Sequence, residues 1–170
     1  AADSDKYCRE VYKENFGIEP IKDVKDIIPS KMEDFDILCG GFPCQPFSNG
    51  GKKKTFEDER GLLFDEIIRI AKVKKPKFMF LENVKHILKV GDGKVIEYIK
   101  NKIDSAGYNL KIIQISPHTY GIPQQRERVY FVCTLKTLGD FELELDKPAT
   151  NIDFEKYLVK QYDPKYKVED

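Results

Sequence analysis

The chain carries no excess charge of either sign. Its 29 lysines and arginines are matched by 29 aspartates and glutamates, so the net charge shows none of the long-range positive field of many nucleic-acid binders. A local patch such as Lys52, Lys53 and Lys54 can still meet phosphate. Cys-x-x-Cys spacing is also lacking. The four cysteines, Cys8, Cys39, Cys44 and Cys133, suggest neither a zinc site nor a disulfide framework and read as free thiols in a reducing compartment. There is no signal peptide, twin arginine or apolar run of transmembrane length, which predicts a cytoplasmic protein without a membrane partner. No glycine-rich phosphate loop is present, which argues against a nucleotide-binding α/β protein of another kind. His86 and His118 have no acid or nucleophile at useful spacing, and neither is assigned a catalytic role. At 170 residues the chain suffices for one domain with a sizeable core.

What is present centres on Gly40-Gly41-Phe42-Pro43-Cys44-Gln45-Pro46-Phe47-Ser48. The run Phe35-Asp36-Ile37-Leu38-Cys39 before it is short and apolar, as a buried strand is, and a glycine pair closes it. Cys44 therefore stands where a strand ends, the edge at which open α/β sheets bind ligands. Pro43 and Pro46 fix two φ angles and remove two donors, which suits a stiff loop presenting one side chain. A lone cysteine is most often a small buried hydrophobe. Two further segments argue otherwise here. Lys77 to Leu81 is a second apolar run, ending abruptly in Glu82-Asn83. Gln124-Gln125-Arg126-Glu127-Arg128 sets two arginines at the start of a third.

The periodicity around these segments predicts alternating elements. Lys6 to Phe16 places Tyr7, Val11, Tyr12 and Phe16 on one helical face, with Asp3 or Asp5 as N-cap and Gly17 as stop. Ile21 to Val24 reads as extended and Lys25 to Pro29 as a single turn. Asn49 to Thr55 is glycine-rich, basic and suited to a solvated loop. Leu62 to Lys74 predicts a helix with Leu63, Ile67, Ile70 and Ala71 inward and Pro76 beyond its end. A second helix is expected from Gly93 to Ala106, with Val95, Ile96, Ile99 and Ile103 inward and Gly107 as its stop. Lys111 to Ser116 and Arg128 to Thr134 read as strands, and the alternation predicts a parallel α/β sheet. Beyond Leu135 periodicity weakens; Pro148 to Asn151 would cap a short helix through Val159, followed by a polar tail.

These motifs give the chain its resemblance to a known family. Gly-Phe-Pro-Cys-Gln-Pro-Phe-Ser, Glu-Asn-Val, Gln-Arg-Glu-Arg, Phe56-Glu57-Asp58-Glu59-Arg60-Gly61 and Tyr120-Gly121-Ile122-Pro123-Gln124 together resemble the cytosine carbon-5 DNA methyltransferases of bacterial restriction-modification systems. The resemblance covers about Asp3 to Thr134. It implies a Rossmann-like α/β fold dependent on S-adenosylmethionine, with residues 1–134 as part of the catalytic domain and 135–170 leading toward a target-recognition domain. It also implies a reaction: methyl transfer to carbon 5 of cytosine in double-stranded DNA. Cys44 would attack carbon 6 as thiolate. Glu82, protonated and with its pKa raised by burial, would relieve charge at nitrogen 3, and Asn83 would fix Glu82. Arg126 and Arg128 would divide a phosphate or loop contact and the base carbonyl between them. Asp3 would accept from the cofactor's ribose hydroxyls and Ser4 lie under the adenine. Asp23 would accept the adenine amino group, Val24 pack on its ring, and Leu63 touch it, although Leu63 reads equally as a core leucine. Gln45, Ser48, Lys52, Lys53 and Lys54 would meet DNA from a loop that closes over it, since the base must leave the stack.

The sequence departs from the family in two places. The Phe-x-Gly-x-Gly turn and the first strand are not found, and neither is the target-recognition domain. A sheet lacking its central strand would expose an unpaired edge, so the expectation is a split subunit, a proteolytic piece or a deliberately shortened chain, inactive alone, with a second polypeptide supplying the missing turn. Two other functions stay open: methylation of transfer RNA by the same chemistry, and a non-catalytic DNA-binding or assembly subunit that keeps the scaffold.

Overall fold

The computed structural model describes residues 1–43, 61–146 and 154–158. Its centre is a four-stranded sheet made of β1 (Ile37–Gly41), β2 (Phe78–Val84), β3 (Tyr108–Ile115) and β4 (Arg128–Leu135), in the order β1-β2-β4-β3. Strands β1 and β2 are parallel and joined through α2 (Gly61–Lys74), while α3 (Lys94–Ser105) lies between β2 and β3. β4 runs antiparallel to both of its neighbours. The all-parallel expectation is thereby corrected to a mixed sheet. The reason lies in the connection: residues 116–127 between β3 and β4 hold only a 3-10 turn, Pro117–Tyr120, and a parallel return needs a longer crossover, usually helical.

One face of the sheet is packed. Met79 and Leu81 of β2 and Val129, Phe131 and Cys133 of β4 are fully buried against Phe64 and Ala71 of α2 and Ile99 and Ile103 of α3. Gly40 lets α2 approach closely here: a Cβ would stand 3.3 Å from Ile67 Cδ1, and that side chain would have to give way. Tyr108 starts β3 within the same core and donates its hydroxyl to the Pro76 carbonyl at 2.8 Å. Burial pushes its phenol up to about 12. Along the other face Ile37, Phe78 and Phe80 remain exposed.

The N-terminal segment is built differently. α1 (Lys6–Phe16) spans the predicted bounds and buries none of its residues. Local capping defines its ends. Asp5 accepts from the amides of Tyr7 and Cys8, and Gly17 at φ +69° returns its N–H to Lys13. Of the two acidic candidates for the cap, Asp5 takes it. Two 3-10 turns, Val24–Asp26 and Pro29–Lys31, replace the single expected turn. They lean on α2, where Arg69 donates to the Ile27 carbonyl at 2.9 Å and Lys74 to that of Met32 at 2.8 Å. At the far end Phe154–Tyr157 is a 3-10 turn; the rest of the predicted terminal helix, and the tail, lie outside the described residues.

Candidate active site

The carboxyl end of β1 lies beside Glu82. Gly41 is the register partner of Glu82, and a Cβ at Gly41 would sit 3.6 Å from Glu82 Oε2. Glycine therefore keeps a side chain away from the carboxylate. β2 extends through Val84, so Glu82 and Asn83 stand within the strand and, by its alternation, on opposite faces. Arg128 opens β4 opposite Val84, while Glu82 faces Tyr130. This diagonal brings Arg128 Nε to 2.7 Å from Glu82 Oε1. Arg128 Nε is buried without an aligned hydrogen bond, so the contact is an ion pair rather than a directed bond. Glu82 keeps 39% of its side-chain surface, and the burial expected of it is absent among the described residues.

Asn83 has a partner that the sequence does not announce. It is buried, and its Nδ2 donates to the Phe42 carbonyl at 2.7 Å. It thus holds the backbone two residues before Cys44. The Phe42 ring anchors the same point from the core, 4.9 Å from the ring of Phe64 and 6.1 Å from that of Phe131. Phe42 was not singled out in the sequence, where it is one more apolar residue beside a glycine pair. Lys85, just past β2, pairs with Glu127 at 2.7 Å, joining the stretch after Glu82-Asn83 to the two-arginine segment. The partners are 42 positions apart, and no local pattern announces them. Arg126 is exposed. Arg128 also donates to the Glu127 carbonyl at 2.9 Å.

The residues assigned to the cofactor, Leu63 of α2 apart, lie in the N-terminal segment. Ala2 and Ile21 form a parallel bridge, with the Asp3 amide donating to Ile21 at 3.0 Å and the Ile21 amide to Ala1 at 2.9 Å. Asp3 and Asp23 accordingly follow the bridge on neighbouring, like-directed segments. Asp3 Oδ1 accepts the Asp5 amide at 2.8 Å and Asp23 Oδ1 that of Lys25 at 2.9 Å. Ser4 is exposed, and Val24 and Leu63 are half-buried. Val24 is tied to α2 through its carbonyl, 3.4 Å from Arg69 Nη2.

Residues 1–169 match the family of C-5 cytosine-specific DNA methylases. The chain belongs to that family. Among curated members, the Type II methyltransferases M.HhaI of Haemophilus parahaemolyticus and M.HaeII of Haemophilus aegyptius are each 44% identical to it over 144 residues, covering 85% of this chain and 44% of their own length. The chain thus spans less than half of the length of these relatives. The fold is shared with the Dnmt2 methyltransferase of S. pombe, at TM-score 0.72 and 22% identity over 96% of this chain and 53% of that one. It is shared as well with the methyltransferase EhMeth of Entamoeba histolytica, at TM-score 0.73 and 23% identity over 99% and 53%.

Within this methylase-family chain, Cys44, Gln45, Ser48, Lys52, Lys53 and Lys54 lie outside the described residues. Of the described thiols, burial pushes Cys133 up to about 12, and the Asp5 carboxylate beside Cys8 raises that thiol as well. Both environments oppose thiolate formation. Among the described residues no cluster could hold a metal ion, and no helix is long and apolar enough to cross a membrane.

Proposed function

We propose that this chain is the thiol-bearing part of an enzyme that transfers a methyl group from S-adenosylmethionine to carbon 5 of cytosine in double-stranded DNA. The observation that carries the proposal is the Glu82–Arg128 ion pair standing beside the glycine end of β1, three residues before Cys44. Cys44 adds to carbon 6 of the extruded cytosine. Glu82 meets ring nitrogen 3 and Arg128 the neighbouring carbonyl, where charge builds as the thiolate adds. Asn83 holds the Phe42 carbonyl on the stretch of chain that leads to Cys44. Arg126, with Gln45, Ser48, Lys52, Lys53 and Lys54, takes DNA.

The acceptors of the N-terminal segment fit the cofactor's donors. Asp5 serves the helix cap, leaving Asp3 free of that task beside Asp23. Two carboxylates on neighbouring segments suit vicinal hydroxyls and an amino group. Asp3, Ser4, Asp23, Val24 and Leu63 would hold S-adenosylmethionine, which when bound supplies an electrophilic methyl group. The exposed Ile37, Phe78 and Phe80 support a further polypeptide that covers this face and brings the glycine-rich turn and the target-recognition domain. In this reading residues 1–134 are the catalytic part and 135–170 the connector. Activity then belongs to the complete enzyme, which works in the cytoplasm.

The test is methyl transfer by the complete enzyme to duplex DNA, with covalent trapping on DNA containing 5-fluorocytosine. Transfer and trapping that vanish in Cys44→Ala support the reading. Methylation of transfer RNA in place of DNA, or DNA binding without trapping, would refute it.

A further inference from the structure

We propose that Ser116 is a positioning residue that aims Arg126, a role that rests on the methyltransferase reading for its catalytic consequence but not for its structural content. Ser116 directly precedes the Pro117–Tyr120 turn, the place where a serine usually caps the turn's amides, yet its side chain makes no such bond. The hydroxyl instead reaches ten residues forward and accepts the Arg126 amide at 3.0 Å. The β3–β4 ladder ends with Ile115 opposite Arg128, so this side chain extends the pairing past the last backbone rung. Ser116 is 5% exposed, and a buried hydroxyl needs its partners. Having accepted from Arg126, its own proton can go to His118 Nδ1, 2.7 Å away. That arrangement leaves the His118 hydrogen on Nε2 and satisfies both roles of the hydroxyl.

The loop so closed has a second tie, from the His118 amide to the Gln124 carbonyl at 3.1 Å. Beyond it the two arginines are held unequally. Arg128 sits in the ladder and pairs with Glu82. Arg126 lies one step before Glu127, is exposed, and has its amide held by the Ser116 side chain. Removing the hydroxyl therefore loosens Arg126 first and leaves the Glu82–Arg128 pair in place. An arginine that binds DNA without meeting the reacting ring lends the same energy to ground and transition states, so its loss raises KM and spares kcat.

Two measurements test this. In the present chain, amide hydrogen exchange at Arg126 should become roughly tenfold faster or more in Ser116→Ala, the result of a lost buried acceptor. Exchange should return toward the parent rate in Ser116→Thr, because the extended backbone at φ −133°, ψ 139° suits a β-branched residue. Unchanged exchange in Ser116→Ala overturns the proposal. In the complete enzyme, Ser116→Ala should raise KM for DNA several-fold with kcat within about twofold, and should add nothing to Arg126→Ala. A fall in kcat at constant KM, or full additivity with Arg126→Ala, overturns it too. Should Ser116→Ala fail to fold, Ser116→Thr with parent-like exchange and KM supports the role, and Ser116→Thr with fast exchange refutes it. A parent enzyme that transfers no methyl group refutes the methyltransferase reading, while the exchange measurement still decides the fate of Ser116.

Discussion

The sheet with its two helices and the N-terminal segment share one chain but are held by different forces. In the first, Leu81, Phe131, Phe64 and Ile99 lose all solvent contact, and the burial of such side chains supplies the main favourable term in folding. In the second, α1 presents Tyr7, Val11 and Phe16 to water at 74%, 58% and 64% exposure. Its Tyr12 and Phe16 rings pack on each other, 4.6 Å apart, within the helix itself. It stands on caps and on two backbone bonds between residues 1–3 and 21. The difference maps onto the chemistry. Glu82 and Arg128, proposed to act on the base, come from the packed half, and the residues proposed to hold the cofactor come mostly from the loose one. A catalytic geometry needs rigid support; a cofactor site tolerates assembly on binding.

The largest expected effect would break that division if it failed. In the complete enzyme Glu82→Gln should lower kcat by about 10²- to 10⁴-fold, the usual loss on removing a general acid, with cofactor KM nearly unchanged. Asp3→Ala should do the reverse, raising KM for S-adenosylmethionine while sparing kcat. Steady-state kinetics separates the two, and a kcat loss for Asp3→Ala would place catalytic and cofactor duties in the same half.

Stability sharpens the contrast next. Phe131→Ala should cost about 3–5 kcal/mol through lost transfer energy and the cavity left behind. Phe16→Ala should cost almost nothing, because its ring is already in solvent. Denaturant unfolding followed by circular dichroism reads both, and a Phe16→Ala loss comparable to that of Phe131→Ala would mean that α1 docks on the sheet. Between these extremes lies Asn83→Ala, which strands the Phe42 carbonyl in the core and should cost about 1–3 kcal/mol. In the complete enzyme it should also slow covalent trapping, since the backbone leading to Cys44 is no longer held.

Much of the packed half was legible in the sequence, because apolar spacing at 3.6 residues marks α2 and α3 and four apolar runs mark the strands. The hidden part was wherever a functional residue interrupts the pattern. Glu82 and Asn83 read as the end of a strand and prove to be inside it, for a polar pair in a site looks like a boundary. The direction of β4 was misread for a related reason: alternating elements imply parallel crossovers, and only the missing helix between Ile115 and Arg128 signals a return. The bounds of α1 were legible for the opposite cause. Asp5 and Gly17 act within their own few residues, so no distant partner is needed to place them. Its lack of burial was not legible, since an amphipathic pattern states which face can be covered and not what covers it.

Asp5 offers the smallest and most local test of the loose half, since it does two separable things. Its carboxylate accepts from the amides of Cys8 and Tyr7, and those bonds hold it below the usual carboxylate range. The same charge raises the Cys8 thiol. A carboxyl whose pKa is lowered on folding stabilises the fold above its unfolded value near 3.8, and that contribution is lost as pH falls through the lower, folded value. The first turn of α1 should therefore fray on acidification below pH ~4, visible as faster exchange of the Tyr7 and Cys8 amides while those of β2 and β4 stay protected. Asp5→Asn removes the charge and keeps a good cap. It should abolish this acid dependence, leave helix content at neutral pH nearly unchanged, and speed alkylation of Cys8 while Cys133 stays unreactive until the sheet unfolds. If Asp5→Asn instead melts α1 at neutral pH, the helix depends on the carboxylate's charge at its N-terminus as well as on its hydrogen bonds, and the loose half is held by electrostatics more than by capping geometry.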